Sequence, residues 1–142
     1  MQIRSLTIND YDQIIRLWSR AGLPFKPKGR DSKQAIKAQM RLNPEFFLGA
    51  FDDSRLVGVV VASFDGRKGW LNRLAVDSIY QRRGIGKALI AEAEKILGRH
   101  GVQVFAALIY DSNVASKSLF GKSGYVEYRD VVYFSKRSSD DV

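Results

Sequence analysis

A strand-like run, Trp70-Leu71-Asn72-Arg73-Leu74-Ala75-Val76, leads through Gln81-Arg82-Arg83-Gly84-Ile85-Gly86-Lys87-Ala88-Leu89 into the longest helical pattern of the chain. Two glycines at a strand-to-helix passage let main chain approach a ligand closely. The free N–H groups and the positive dipole end of the helix then face outward. Such an end seats a phosphate. Arg82, Arg83 and Lys87 gather positive charge at the same place, so the stretch predicts a cradle for a pyrophosphate.

Two common phosphate motifs do not describe it. A dinucleotide fingerprint needs a third glycine where Leu89 stands, and a P-loop needs glycine at Gln81 and a hydroxyl at Ala88. The pattern Gln81-x-x-Gly84-x-Gly86 resembles the acetyl-CoA signature of the GNAT family, the GCN5-related N-acetyltransferases. Leu74-Ala75-Val76-Asp77 is similar to that family's fourth strand and the turn leaving it. Asn113, Phe120 and Gly124-Tyr125 are similar to its second motif, so three blocks fall in order over residues 70 to 125.

The resemblance implies a cofactor, acetyl-CoA, released as coenzyme A. It would be held by Leu74, Ala75, Val76, Gln81, Arg82, Arg83, Gly84, Ile85, Gly86, Lys87, Ala88, Asn113 and Phe120. It also implies that the strands before the cradle and before Asn113 splay apart to admit the pantetheine arm. Capping a helix would equally explain Asn113, and burial in a strand would equally explain Leu74 to Val76.

The 142 residues suit one domain with a sizeable core, read as residues 1–136 followed by a frayed tail, 137–142. No apolar run is long enough to span a membrane, and no signal-peptide core opens the chain, so a cytoplasmic address is expected. The absence of cysteine excludes disulfides, thiolate metal sites and a Cys nucleophile, and no metal is expected. The 23 Lys and Arg against 15 Asp and Glu leave a net charge of +8, which attracts polyanions. No nucleic-acid-binding signature accompanies that charge. A homodimer stays open.

Along the chain, Gln2 to Ile8 reads as a strand and Thr7-x-x-Asp10 as a capping box for a helix carrying Tyr11, Ile14, Ile15 and Trp18. Ala21 to Arg30 holds two prolines and two glycines and reads as a basic loop. A second helix, capped by Asp31 or Ser32, ends before Pro44. Phe46–Phe51, Leu56–Phe64 and Trp70–Val76 read as antiparallel strands. The long helix places Ile85, Leu89, Ile90, Ala93, Ile96 and Leu97 on one side. Val102–Tyr110 reads as a central strand, a helix then runs to about Lys122, and a hairpin of 125–128 and 131–135 closes the chain. The order β-α-α-β-β-β-α-β-α-β-β predicts an α/β domain with a mixed, mostly antiparallel twisted sheet and helices on both faces.

Function follows as expectation. The family resemblance implies transfer of an acetyl group to an amine, on a small molecule or a protein, by direct attack in a ternary complex. Where the family often carries a proton-donating tyrosine, this chain has Phe120, which cannot donate; Tyr125, Tyr128 and Tyr110 are neighbouring candidates. The catalytic acid is therefore unassigned, and a tyrosine restored at Phe120 is expected to speed transfer. The fourth-strand positions that often hold an acid are Asn72 and Arg73. Glu45, Asp65, Glu127 and the single histidine, His100, read better as surface or cap residues. An acyl-CoA-binding regulatory module without efficient transfer is the alternative that these gaps suggest.

Overall fold

A computed structural model describes residues 1–142. Five strands form one mixed sheet in chain order, β1 (Gln2–Ser5), β2 (Phe47–Asp52), β3 (Arg55–Phe64), β4 (Gly69–Val76) and β5 (Phe105–Ala106). The first four pair antiparallel, and β5 joins β4 parallel. Four helices cover it, α1 (Tyr11–Arg20), α2 (Lys33–Leu42), α3 (Ile85–Gly98) and α4 (Val114–Lys122).

Side-chain alternation along the strands divides the core in two. Phe47, Leu56, Val59, Val61 and Ala75 meet Ile14, Leu17 and Trp18 of α1 and Ile36 and Met40 of α2. Leu48, Ala50, Val60, Ala62, Leu71 and Leu74 meet the apolar side of α3, with Phe120 of α4. Helices on both faces of a mostly antiparallel sheet are what the sequence predicts.

The caps also follow the predicted chemistry. Thr7 and Asp10 form a capping box on a short 3-10 turn before α1, and Arg4 Nη1 holds Asp10 Oδ2 at 3.0 Å. Ser32 Oγ caps α2 by accepting from Ala35 N at 3.1 Å. Asp31 is instead buried, and its Oδ2 accepts from Lys26 N at 2.7 Å within the preceding loop.

Leu71 and Leu74 share a face although three residues apart, so the two-residue period of β4 slips between them. The slip is a β-bulge: Val59 pairs with Ala75 and Val61 with Asn72, leaving Arg73 and Leu74 opposite the single residue Val60. Arg73 takes φ 57° to make it.

Beyond the bulge the expected central strand Val102–Tyr110 reduces to the two residues of β5. Phe105 and Ala106 pair with Gly69 and Trp70; Leu108 N then donates to the Asn72 side chain, Oδ1 at 3.1 Å, and no ladder follows. The predicted closing hairpin is corrected as well, since 125–128 and 131–135 form no strand. Strand propensity needs a partner, and a two-residue β5 presents too short an edge. Val131, Val132, Tyr133 and Phe134 are left exposed. The tail beyond them is also largely exposed but doubles back to the basic loop, where Lys26 Nζ donates to Asp140 O at 2.9 Å.

The β3–β4 turn carries an acid-sensitive contact. Asp65 accepts from Lys68 N at 2.7 Å, Trp70 Nε1 at 3.1 Å and Arg67 N at 2.8 Å, which bring its carboxyl from the ordinary 3.8 down to about 2. A depressed carboxyl stabilises the fold above its unfolded value and loses that contribution as pH falls through the folded one. Asp65→Asn is therefore expected to lower the denaturation midpoint at about pH 6, with the gap to wild type closing near pH 2.

Candidate functional site

The loop between β4 and α3 is fastened before it reaches the helix. Asp77 is buried, and its Oδ2 accepts from Arg20 of α1 at 3.1 Å and Arg55 of β3 at 3.0 Å, while Oδ1 accepts from Ile79 N at 3.3 Å. Tyr80 OH donates to Asp52 Oδ2 at 2.7 Å, and Gln81 Nε2 to Val76 O at 3.3 Å. Arg82 at φ 63° and Gly84 at φ 80° then adopt left-handed backbone, the kind of turn conformation from which anion-binding nests are built.

At α3 the first helical bond runs from Ala88 N to Gly84 O at 3.0 Å, and no side chain caps the helix. The amides of Ile85, Gly86 and Lys87 are thereby left as its free donors. Gly86 leaves room for Leu119 of α4, whose Cδ2 would lie 2.5 Å from a Cβ at that position.

Between the two helices and the end of β4 lies a cavity of about 390 Å³. Eight of the residues singled out from sequence line it: Leu74, Val76, Gln81, Arg82, Gly84, Ile85, Gly86 and Lys87. Five do not. Ala75 points to the α1 side of the sheet, Arg83 stands over the Tyr80 ring with its guanidinium carbon 5.0 Å from the centroid, and Ala88 is exposed on α3. Asn113 caps α4, its Oδ1 accepting from Ser116 N at 3.1 Å. Phe120 is 4% exposed within the core, edge-on to Tyr125 at 4.9 Å between ring centroids.

Sequence reading missed Tyr80 and the α4 wall, where Ala115, Ser116, Ser118, Leu119 and Lys122 line the cavity. A signal for that wall existed. Positions 115, 118, 119 and 122 follow the i, i+3, i+4, i+7 spacing of one helix face. The lining cations Arg82, Lys87 and Lys122 enter no ion pair, whereas Lys117 on the same helix is held by Asp111 at 2.7 Å and Glu127 at 2.9 Å. The cavity thus joins free amides to uncompensated positive charge, the chemistry that receives a diphosphate.

A family model described as "Acetyltransferase (GNAT) family" matches residues 11–125. The chain belongs to the GNAT family of acetyltransferases. An acetyltransferase of Photorhabdus laumondii is 32% identical over 138 residues, covering 96% of this chain and 95% of that one. An acetyltransferase of Sodalis glossinidius is 30% identical over 141 residues, covering 99% and 98%. Among solved structures, the PaiA N-acetyltransferase of Thermoplasma acidophilum in complex with coenzyme A is 28% identical, with a TM-score of 0.72 over 85% of this chain and 86% of that one.

The catalytic candidates of this GNAT chain lie away from the α3 cradle or are already paired. Tyr125 OH donates to Glu94 Oε2 at 3.4 Å, and Glu94 lies nine residues past Ile85, roughly 13 Å along the helix. Burial, then the Glu94 charge, raise the Tyr125 hydroxyl above its ordinary range; burial raises Glu94 too. Tyr110 and Tyr128 are exposed. The possible bases are engaged elsewhere. Glu45 faces His100 Nε2 at 3.5 Å, Asp65 holds its turn, and Glu127 pairs with Lys117 and with Arg129 at 3.1 Å.

Arg73 sits where the β4 bulge opens the sheet. Its guanidinium stacks on Trp18, 4.2 Å from the ring centroid, donates through Nη1 to Pro24 O, and lies 3.9 Å from Asp31 Oδ2. Nε and Nη2 are buried without a hydrogen-bond partner, and burial lowers its pKa. The side chain fastens the loop 21–32 across the α1 face of the sheet. No helix of the protein is long and apolar enough to cross a membrane.

Proposed function

We propose that this chain is an acetyl-CoA-dependent N-acetyltransferase, built as one catalytic domain over residues 1–136, in which an acceptor amine attacks the thioester directly. The observation that carries this reading is the cavity at the start of α3, where free amides of Ile85, Gly86 and Lys87 stand beside Arg82 and Lys122. These groups fit the twin phosphates of the cofactor, whose thioester supplies the acetyl group. Leu74, Ala75 and Val76, past the point where β5 leaves β4, are assigned the main-chain contacts to the pantetheine and to the developing oxyanion. The acceptor would enter from the α1 face, beneath the loop 21–32.

Tyr80, the tyrosine that lines the cavity, gives its hydroxyl proton to Asp52, and Phe120 is packed in the core. We assign departure of the thiolate to solvent, which a thiol of pKa about 8.5 permits near neutral pH. On this placement the gain expected from sequence for Phe120→Tyr is withdrawn. The added hydroxyl would be buried without a partner, costing about 1–3 kcal/mol of stability. Turnover with a fixed acceptor should stay flat while the denaturation midpoint falls; a several-fold rise in kcat would overturn the solvent route.

The reading is tested by isothermal titration with acetyl-CoA, followed by an amine panel scored by thiol release and product mass. Absence of binding heat across conditions removes the cofactor claim, and binding without thiol release removes the transfer claim.

A further inference from the structure

The parallel pairing of β5 with β4 stops before the bulge can have ended it. Phe105 and Ala106 pair with Gly69 and Trp70, yet the next two residues of β4, Leu71 and Asn72, still pair regularly with Ala62 and Val61 of β3; only Arg73 and Leu74 slip. Gly69 N donates to Val104 O at 2.9 Å, so Gly69 turns its main chain toward β5, and by the two-residue alternation of a strand Leu71 does the same. The next N–H of β5 to face β4 is that of Leu108, and in this register its ladder acceptor would be Leu71 O. That bond is replaced. Leu108 N donates to Asn72 Oδ1 at 3.1 Å instead.

A side-chain oxygen thus captures the donor that would have drawn the two strands together. Strands joined by a ladder lie about 4.8 Å apart, and a carboxamide placed between main chains holds them wider. The bulge at Arg73, φ 57°, is the kind of irregularity that re-aims a neighbouring side chain, which explains how Asn72 reaches along the sheet toward β5. The side chain of Asn72 makes no other hydrogen bond within the protein. Leu74, Ala75 and Val76, to which the pantetheine contacts are assigned, follow directly.

We infer that Asn72 is a positioning residue for the cofactor: by taking Leu108 N it stops the β4–β5 ladder one rung early and keeps the gap between the strands open for the pantetheine arm. This rests on the cofactor reading above. Asn72 acts through Leu108 and takes no part in the bonds that form or break. Without the carboxamide, the released N–H takes Leu71 O, the ladder advances, and an entering arm must first break that bond.

Two substitutions of similar volume separate the acceptor oxygen from the bulk of the side chain: Asn72→Leu removes the acceptor and Asn72→Asp keeps one. In titrations with acetyl-CoA, Asn72→Leu is expected to bind about fivefold more weakly than wild type, equivalent to about 1 kcal/mol and so to one net hydrogen bond. Asn72→Asp should stay within about twofold of wild type. The nucleotide 3′-phosphoadenosine 5′-diphosphate, which is coenzyme A without its arm, should bind wild type and both variants alike, because it occupies the cradle and leaves the gap empty. Wild-type affinity for acetyl-CoA in Asn72→Leu, an equal loss toward the armless nucleotide, or a failure of Asn72→Asp to restore binding overturns the inference. Should wild type bind neither ligand, the cofactor reading fails instead. Amide hydrogen exchange in the free protein then reads the ladder by itself: Leu108 N should remain protected in Asn72→Leu through its new bond to Leu71 O, and exchange faster than in wild type would overturn the ladder stop separately.

Discussion

Reversing two charges at the cradle, Arg82→Glu with Lys87→Glu, should weaken acetyl-CoA binding by about 100-fold or more. A hydrogen bond to a charged group contributes roughly 1.5–3 kcal/mol, and each 1.4 kcal/mol is tenfold in affinity. Both side chains are exposed, so the low end applies; two such losses still exceed two decades. Neither residue holds an ion pair within the protein, so the fold should survive the change. Titration at two ionic strengths checks both parts, because the wild-type affinity should fall more steeply with salt than that of the variant. A dissociation constant within threefold of wild type would sink the assignment, and Lys95→Glu at the far end of α3 is the control for net charge.

How far the sequence announced this arrangement depends on what kind of interaction carries each part. The two halves of the core were legible because they are written in side-chain period: the spacing of Ile85, Leu89, Ala93 and Ile96 leaves one orientation for α3. Half of the cradle was legible for a different reason, since Gly84 takes a left-handed φ of 80° that few other residues accept, and Gly86 leaves its side of the helix open to a close neighbour. The bulge at Arg73 was not, because an arginine at φ 57° carries no propensity signal and is held only by Trp18, Pro24 and Asp31. β5 pairs only as far as Trp70, short of that slip, and the terminal segment then lacks an edge to pair with. Residues such as Val131 to Phe134 read as strand on propensity alone, and propensity is silent about whether an edge is present to pair with. Asn113 shows the converse ambiguity: a cap and a ligand contact ask for the same side chain, and in this structure its oxygen is taken by Ser116 N.

Asp77 is expected to matter more than its distance from any reacting atom suggests, and Asp77→Ala should cost about 2–3 kcal/mol of stability while also weakening acetyl-CoA binding by roughly tenfold. Its carboxylate joins α1 through Arg20, β3 through Arg55 and the loop backbone through Ile79 N, at the step where β4 turns toward the cradle. Arg20 and Arg55 are about half exposed and can rehydrate when the partner is lost, which is why each pair is counted at the surface value of under about 1 kcal/mol. The remaining loss is the cap on Ile79 N, about 1 kcal/mol, offset in part by the freedom returned to residues 78–83. At roughly 3 °C per kcal/mol for a chain of this size, the melting temperature should fall by about 6–9 °C. The affinity loss has a separate origin: the amides of Ile85, Gly86 and Lys87 stay put only while the loop before them is anchored, and past Asp77 its side-chain ties to the strands are the single hydrogen bonds of Tyr80 to Asp52 and Gln81 to Val76 O. Asp77→Asn keeps an acceptor for Ile79 N but not the charge, so it should fall between wild type and alanine in both measurements. A variant that melts early yet binds acetyl-CoA as wild type would show that the anchor serves folding alone, and that the cradle amides are held by α3 and α4 without it.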